Sequence, residues 1–274
     1  LKNYLGTADG FMIEHNETII VVLPGPPREN LPMFNKKVRP ILATKTDRRY
    51  ISKYYRIYGI GEWETELRIK DLIDGSDEIA TFARTEGLFI KVRLDESEYE
   101  DYNDRFEYYE KILKDRFGDN FIEEGVKTTE ELLGKCLINN NISISTAESI
   151  TGGLISSKLV SVPGISSVMS ESYVTYSNEV KTKVLGVKKE TIDKFDVVSK
   201  ETVEEMLYGL KKLANSDLCI ASSGYAGPGE KAGLVYYGAL YKDQISIIKK
   251  QYVGSRNEIR EICANDAIMN AYIL

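Results

Sequence analysis

The spacing of hydrophobic positions changes along this chain, and each change marks an expected element of secondary structure. Alternating apolar residues predict a strand at 142–148, and apolar residues three and four apart predict a helix at 200–214. The same rules divide residues 126–274 into alternating helices and strands. This alternation predicts an α/β fold with a three-layer α/β/α arrangement. In such a fold, ligands bind beyond the carboxyl ends of the parallel strands.

The beginning of the chain has the pattern of a β-hairpin. Apolar residues alternate through FMIEHNETIIVVL at 11–23, with Asn16 and Glu17 at the turn. Five of the seven prolines fall between positions 24 and 40. The sequence PGPPRE at 24–29 therefore predicts a proline-stiffened loop, followed by a short helix toward Pro40.

The next segment has the pattern of a small α+β unit. Its predicted elements are a strand at 51–60, a helix at 61–73, a strand at 87–95 and an acidic helix at 97–117. Aromatic and apolar residues at helical spacing predict a face packed on a sheet or, alternatively, an aromatic binding platform: Tyr99, Tyr102, Phe106, Tyr109 and Ile112. A linker is expected at Glu123–Gly125. The predicted domains are therefore 1–46, 47–125 and 126–274.

Composition indicates a globular protein and limits its partners. The 274 residues are 42% hydrophobic and 28% charged, which is enough for two or three packed units. The net charge of −6 disfavours a nucleic-acid partner, because that partner requires a basic face. The apolar run at 19–23 is too short to cross a bilayer. We therefore expect a cytoplasmic protein with no membrane or nucleic-acid partner.

Histidine and cysteine usage narrows the chemistry. The single histidine, His15, lies in the predicted hairpin, so a Ser-His-Asp triad within the last domain is excluded. The three cysteines are widely spaced and form no CxxC pair, which argues against a zinc site. We expect no metal or other cofactor, although carboxylate-bound Mg²⁺ stays an open alternative.

Three polar loops fall at predicted strand ends in the last domain: AESITGG, TYSNEVK and SSGYAGPGE. They contain hydroxyl groups and lysine, a combination that fits a serine nucleophile with a lysine base. Ser149 follows a strand, and Lys181 begins a helix whose positive end disfavours an ammonium ion. Burial would further lower the pKa of Lys181. The alternatives are that Ser149 is a helix cap and that Lys181 is a solvated surface residue.

Four ordered motifs resemble one known family. TAESITGG, TYSNEVKTKVLGV, VVSKETVEEM and SGYAGPG resemble the C-terminal domain of the competence/damage-inducible CinA family. YGIGEWETELRIKDLI resembles that family's middle domain, and residues 6–29 resemble the closing part of its molybdopterin-cofactor-biosynthesis-like domain. The resemblance implies that residues 1–46 are a remnant of this first domain and that the protein forms a homodimer.

The resemblance also implies hydrolysis of nicotinamide mononucleotide to nicotinic acid mononucleotide and ammonia, in pyridine-nucleotide recycling. Ser149 would attack the carboxamide, and Lys181 would move the proton. Backbone amides around Thr151, Gly152 and Gly153 would hold the oxyanion. The implied substrate contacts are Tyr176, Asn178, Ser223, Tyr225, Ala226, Gly227 and, for the phosphate, Arg256. Arg260, one turn beyond Arg256, could assist with the phosphate, but we expect it to face solvent.

Some positions depart from the family pattern. Ile150 stands where members commonly have Cys, Tyr225 stands where they have Ile, and the glycine-rich insertion at 229–234 is short. An alternative function is therefore a nucleotide-binding or assembly module that has kept the pocket and lost the chemistry.

Overall fold

The computed structural model describes residues 1–46, 48–74, 79–84, 87–98, 101–125 and 127–274. Two compact units are present: Leu1–Phe82 with Phe89–Glu124, and Ala83–Leu88 with Gly125–Leu274. Both mix helices and strands, which confirms the predicted α/β class. None of the described helices is long and apolar enough to cross a membrane.

The predicted hairpin at the beginning of the chain is present. Strands β1 (Phe11–His15) and β2 (Thr18–Val22) pair antiparallel around a two-residue turn. Helix α1 (Pro27–Met33) follows, then a π-helical turn at Phe34–Val38 and helix α2 (Arg39–Ala43). The prediction of a loop at 24–29 is therefore wrong for residues 27–29, which form the start of α1. Proline is favoured in the first turn of a helix because its missing N–H would have no partner there.

The four-stranded sheet that follows has the order β4-β5-β3-β6. Its strands and helices are β3 (Tyr50–Ile57), α3 (Glu62–Arg68), α4 (Lys70–Ile73), β4 (Ile79–Arg84), β5 (Gly87–Asp95), α5 (Tyr102–Phe117) and β6 (Phe121–Glu124). Sequence analysis missed β4 and β6. The predicted linker at 123–125 is wrong for residues 123 and 124, because both belong to β6 and pair antiparallel with β3. The boundary between the two units falls at Gly125.

The aromatic residues described on α5 pack against the core of this unit, and Leu113 takes the core position predicted for Ile112. Phe106 and Tyr109 are buried in the core of this unit. Leu113 is also in that core, whereas Ile112 is only half-buried. The predicted Tyr99 lies outside the described residues. The packed helix face, rather than an aromatic binding platform, is therefore what these side chains form.

The second unit contains a five-stranded sheet of order β11-β10-β9-β7-β8. Its helices and strands are α6 (Thr129–Asn140), β7 (Ile144–Glu148), α7 (Leu154–Val160), β8 (Met169–Val174), α8 (Asn178–Leu185), α9 (Lys189–Phe195), α10 (Lys200–Ala214), β9 (Leu218–Gly224), β10 (Leu234–Tyr241), β11 (Gln244–Gln251) and α11 (Arg256–Ile273). Strand β7 is parallel to β8 and β9, whereas β10 is antiparallel to β9 and β11.

Helices cover both faces of this sheet, as the predicted three-layer arrangement requires. Side chains of α6, α7 and α11 form one core with strand residues such as Ile144 and Ile220. Side chains of α8 and α10 form the other with Ala147 and Cys219. Because successive strand residues point to opposite faces, a strand such as β9 supplies both cores. The parallel strands β7, β8 and β9 end at the same edge of the sheet, where the three polar loops begin.

Candidate active site

Ser149 lies immediately after β7, at the carboxyl end of the strand. Its backbone amide donates to the Ser222 carbonyl at 3.0 Å, so the residue stays tied to β9 as the chain leaves the sheet. The side chain is nearly buried, with 7% exposed. Helix α7 begins only at Leu154, with Gly153 as its N-cap. The alternative that Ser149 is the helix cap is therefore wrong.

Lys181 projects from the first turn of α8 toward Ser149. Ser177 caps this helix by accepting a hydrogen bond from the Val180 amide. The lysine side chain is 0% exposed, so the surface-lysine alternative is wrong. Its Nζ donates to Ser149 Oγ at 2.9 Å, and to the carbonyls of Thr175 at 2.8 Å and Tyr176 at 3.2 Å.

The surroundings of Lys181 make its amine easier to deprotonate than that of an exposed lysine. Burial lowers its pKa from the ordinary 10.5 to about 8. Within the part of the chain that the structure describes, Lys181 forms no ion pair with a carboxylate that would restore the charge. A neutral amine has two N–H bonds and one lone pair. When the amine is neutral, the carbonyls of Thr175 and Tyr176 can take both N–H bonds, and the Ser149 hydroxyl can then donate to the lone pair.

Glu148 holds the turn that follows Ser149. This carboxylate is fully buried and accepts hydrogen bonds from the backbone amides of Gly153 at 2.9 Å, Ile155 at 3.0 Å and Ser156 at 2.8 Å. Gly153 has a φ of 97°, which glycine adopts without the steric penalty of a side chain. The carboxylate thus occupies the positive end of α7. The family resemblance implies a reaction oxyanion at this place.

The predicted oxyanion residues are arranged differently from the expectation. The Gly153 amide is bonded to Glu148, and the buried Thr151 hydroxyl shares a 2.8 Å hydrogen bond with Ser222. Gly152 has a φ of 59° and lies beside the Arg260 guanidinium. None of these three predicted residues lines the pocket next to Ser149. Ile150 lines it instead.

Arg260 braces the same turn, so the expectation that it faces solvent is wrong. Its guanidinium donates to the carbonyl of Ile150 at 3.2 Å and to the carbonyl of Thr151 at 3.0 Å. Both carbonyls belong to the turn between Ser149 and α7. Glu148 therefore holds the amides at the start of α7, while Arg260 holds the carbonyls that precede it.

A cavity of about 250 Å³ opens beside the Ser149–Lys181 pair. Its sequence-predicted wall residues are Ser149, Tyr176, Asn178, Lys181, Ser223, Tyr225, Ala226, Gly227 and Arg256. The wall is completed by Ile150, Val197, Val198, Gly224 and Pro228. The structure thus brings together residues from the three polar loops, from the segment before α10 and from the first turn of α11.

Arg256 is positioned at the cavity by neutral groups. Its guanidinium donates to the Gly227 carbonyl at 2.9 Å and to the Tyr176 hydroxyl at 3.3 Å. Among the described residues it forms no ion pair with an acidic side chain. An arginine held in this way keeps its full charge available for an anionic ligand.

Ser223 and Tyr225 are both bonded to the segment before α10. The Ser223 hydroxyl donates to the Val197 carbonyl at 2.7 Å, and the Tyr225 hydroxyl donates to Asp196 at 2.6 Å. Burial, together with the hydrogen bond to Asp196, raises the pKa of Tyr225 to about 12. Both hydroxyls therefore act in holding the wall, and Tyr225 contributes its ring to the cavity.

Sequence analysis missed the roles of Glu148, Thr175, Asp196 and Arg260. One signal for Glu148 was available, since a carboxylate that ends a buried strand needs buried donors. Asp196 and Arg260 act through contacts with distant parts of the chain, which no local pattern reveals. Thr175 acts through its backbone carbonyl, which bonds to Lys181 six residues later and leaves no mark in the residue pattern. No cluster of three or more His, Cys, Asp or Glu side chains arranged to hold a metal occurs among the residues that the structure describes.

Comparisons with known proteins agree with the motif resemblance. The family described as CinA C-terminal domain matches residues 126–272, and the family described as damage-inducible protein CinA KH domain matches residues 52–122. Proteins named competence-damage inducible protein are 39% identical in Clostridium beijerinckii and 41% identical in Clostridium perfringens, each over 95% of this chain. The chain spans 65% of the length of each of these curated relatives.

Solved structures extend the comparison. A competence-damaged protein (CinA) superfamily protein from Klebsiella pneumoniae is 32% identical with a TM-score of 0.51, covering 53% of this chain and 96% of its own. A protein of the same superfamily from Escherichia coli is 27% identical with a TM-score of 0.51, covering 56% of this chain and 95% of its own.

The role of Glu148 generates a prediction about stability. Replacing Glu148→Gln exchanges one acceptor oxygen for an NH₂ group that cannot accept from the amides of α7. We expect the free energy of unfolding to fall by about 3 kcal/mol, measured by urea denaturation. Glu179→Gln, at an exposed position in the first turn of α8, is the control and should change stability by less than about 0.5 kcal/mol. A Glu148→Gln protein as stable as the wild type would contradict this role.

Proposed function

The chain belongs to the CinA family, and from this premise we propose that Ser149 and Lys181 form an amidase acting on nicotinamide mononucleotide. The products are nicotinic acid mononucleotide and ammonia, which fits a role in pyridine-nucleotide recycling. The proposal includes a cytoplasmic location and a homodimer, and it involves no cofactor and no nucleic acid. Fold alone does not determine this activity, so the argument depends on the site.

The observation that carries the proposal is the 2.9 Å hydrogen bond between a fully buried lysine and a serine hydroxyl at the end of a cavity. A serine hydroxyl reacts only when a base removes its proton, and a lysine serves as that base only when its amine is neutral. Burial lowers the pKa of Lys181 to about 8, so a useful fraction is neutral near physiological pH. This pairing has few purely structural uses, because burying a lysine is unfavourable.

The reaction follows from the positions of these two groups. Lys181 takes the Ser149 proton while Oγ forms a bond to the carboxamide carbon, giving a tetrahedral intermediate. Collapse of the intermediate breaks the carbon–nitrogen bond, and Lys181 returns the proton to the nitrogen, which leaves as ammonia. A water molecule then attacks the acyl ester, gives its proton to Lys181, and releases the carboxylic acid as Ser149 recovers its hydrogen.

The polar rim of the cavity supports a substrate that carries a phosphate. Arg256 presents a guanidinium bonded to the Gly227 carbonyl and the Tyr176 hydroxyl, and such a group can grip a phosphate with two hydrogen bonds. A capping box formed by Ser255 and Glu258 fixes the start of α11, the helix that carries Arg256. A mononucleotide, with its carboxamide at Ser149 and its phosphate at Arg256, satisfies both ends of this site.

A second candidate function is a nucleotide-binding or assembly module without chemistry. The observation that favours it is Tyr225, whose ring lies on the cavity wall where the family commonly has isoleucine. A bulkier wall could hold the nucleotide while keeping its carboxamide away from Ser149. This alternative predicts that nicotinamide mononucleotide raises the melting temperature without any release of ammonia.

The amidase proposal is tested by removing each reacting group. We expect Ser149→Ala and Lys181→Met each to lower the rate of ammonia release by at least about 10³-fold, because nucleophile and base act as one unit. Methionine fills the buried space of the lysine without its amine. Lys183→Met, two residues further along α8 and exposed, is the matched control and should keep the wild-type rate. Full activity in either site variant would contradict the proposal.

The pKa of Lys181 predicts how the rate depends on pH. With a pKa of about 8, the neutral fraction rises from about a tenth at pH 7 to about nine-tenths at pH 9, so kcat/KM should rise about tenfold. Tyr225→Phe should leave this midpoint unchanged, because the pKa of Tyr225, raised by burial, is about 12. A rate that is flat from pH 6 to pH 9 would exclude Lys181 as the base.

The same pKa has a consequence for stability. Between pH 8 and pH 10.5, Lys181 is mostly protonated in the unfolded chain and mostly neutral in the folded protein. The free energy of unfolding of the wild type should therefore rise with pH in this range, relative to that of Lys181→Met.

The role of Arg256 is tested by neutralising it. Arg256→Gln should raise KM for nicotinamide mononucleotide about 10- to 100-fold and change kcat much less, because the guanidinium contacts the phosphate and not the carboxamide. The measurement is steady-state kinetics with the mononucleotide and with nicotinamide riboside, which lacks the phosphate. If the variant loses affinity for both compounds equally, Arg256 does not bind the phosphate.

A further inference from the structure

Asp196 adopts a backbone conformation that is unusual for a residue with a side chain. Its φ is 81° and its ψ is 153°, a region that glycine occupies readily and other residues avoid. A non-glycine residue in such a region loses about 1–3 kcal/mol of stability. An aspartate at this position therefore calls for an interaction that compensates the strain.

Hydroxyl groups fix the backbone at this point. The Asp196 carbonyl accepts from Ser199 Oγ at 2.8 Å and from Thr202 Oγ1 at 2.9 Å, both at the start of α10. The next carbonyl, that of Val197, accepts from Ser223 Oγ at 2.7 Å. The strained conformation is thus imposed by the path of the chain into α10, whichever side chain occupies the position.

The carboxylate of Asp196 joins two points of one loop. One oxygen accepts from the Tyr225 hydroxyl at 2.6 Å, and the other accepts from Lys231 Nζ at 2.6 Å. Burial alone would raise the pKa of Asp196, but the hydrogen bonds from Lys231 and Tyr225 lower it, so the carboxylate is ionised. Tyr225 begins this loop and Lys231 lies near its end, in the connection between β9 and β10, which we define as the 225–233 loop.

The 225–233 loop forms one wall of the cavity. Ala226, Gly227 and Pro228 line the cavity beside Ser149, and the Gly227 carbonyl accepts the 2.9 Å hydrogen bond from Arg256. At its base the loop is closed by the hydrogen bond from the Gly233 amide to the Tyr225 carbonyl, at 2.7 Å. A displacement of the loop would therefore move both the cavity wall and the acceptor that orients Arg256.

We propose that Asp196 is a positioning residue whose carboxylate latches the 225–233 loop against the cavity, so that Gly227 holds Arg256 in place for the phosphate of the substrate. The proposal rests on the proposed function for the identity of that substrate. That Asp196 holds the loop in place does not depend on which substrate binds. Asp196 contacts Tyr225 and Lys231 and acts on Arg256 only through them.

The test uses variants that cut the latch in different ways. Asp196→Gly removes the carboxylate and relieves the backbone strain, whereas Tyr225→Phe keeps the ring on the cavity wall and removes only its hydroxyl. Asn215→Gly is the matched control, because Asn215 also has a positive φ, of 52°, at the exposed end of α10. Two readouts are needed: hydrogen exchange of the loop amides by mass spectrometry, and the kcat and KM for ammonia release from nicotinamide mononucleotide.

We expect the amides of the 225–233 loop to exchange at least about tenfold faster in Asp196→Gly and in Tyr225→Phe, because a hydrogen bond to a charged group is lost. Exchange in β9 and α10 should not change. The double variant should exchange no faster than Asp196→Gly alone, because both changes remove the same contact. In the single variants KM should rise about tenfold while kcat stays within about threefold, and Asn215→Gly should match the wild type in every readout.

The outcomes separate the latch from the proposed function. Unchanged loop exchange in both Asp196→Gly and Tyr225→Phe would overturn the latch, whatever the activity. Faster exchange with an unchanged KM would overturn the role in holding Arg256. If the wild-type protein releases no ammonia, the proposed function fails. In that case hydrogen exchange still tests whether Asp196 holds the loop. Calorimetry tests the role in holding Arg256, because Asp196→Gly should then weaken the binding of nicotinamide mononucleotide.

Discussion

The hydrogen bond from Lys181 to Ser149 is the contact on which the proposed chemistry depends. It requires a lysine with no exposed surface, which is unfavourable unless the amine is neutral or its N–H groups are bonded. The carbonyls of Thr175 and Tyr176, at the end of β8, meet that requirement. Three parallel strands end at one edge of the sheet and bring the serine, the carbonyls and the cavity wall together. The α/β topology thus supplies the groups that contact the Lys181 amine.

The turn around Ser149 is held from two sides, which favours a fixed position for the proposed nucleophile. Glu148 accepts from the first amides of α7, and Arg260 donates to the carbonyls of Ile150 and Thr151. Both side chains bond to backbone groups of this turn. Preorganised polar groups of this kind reduce the reorganisation needed during the reaction. The cavity wall on the other side depends on contacts of Asp196 and Ser223 in the same way.

Much of this arrangement could be predicted from sequence, because the period of apolar residues and the polar strand ends are local signals. The missed elements β4, β6 and α9 are four to seven residues long, too short to show a period clearly. The positions of Ser149 and Lys181 followed from strand-to-helix transitions and from family resemblance. The contacts of Arg260 could not be predicted, since its partner Ile150 lies 110 positions earlier in the chain. Of the amides expected to hold an oxyanion, that of Gly153 is bonded to the Glu148 carboxylate instead.

The most direct test of the central claim is to trap the acyl-enzyme. The protein would be mixed with nicotinamide mononucleotide, quenched in acid within milliseconds of mixing, digested, and analysed by mass spectrometry. The account predicts a nicotinoyl nucleotide ester on Ser149, absent from Ser149→Ala and from Lys181→Met. Ammonia release that persists in Ser149→Ala, with no acyl group on any peptide of the wild type, would contradict it.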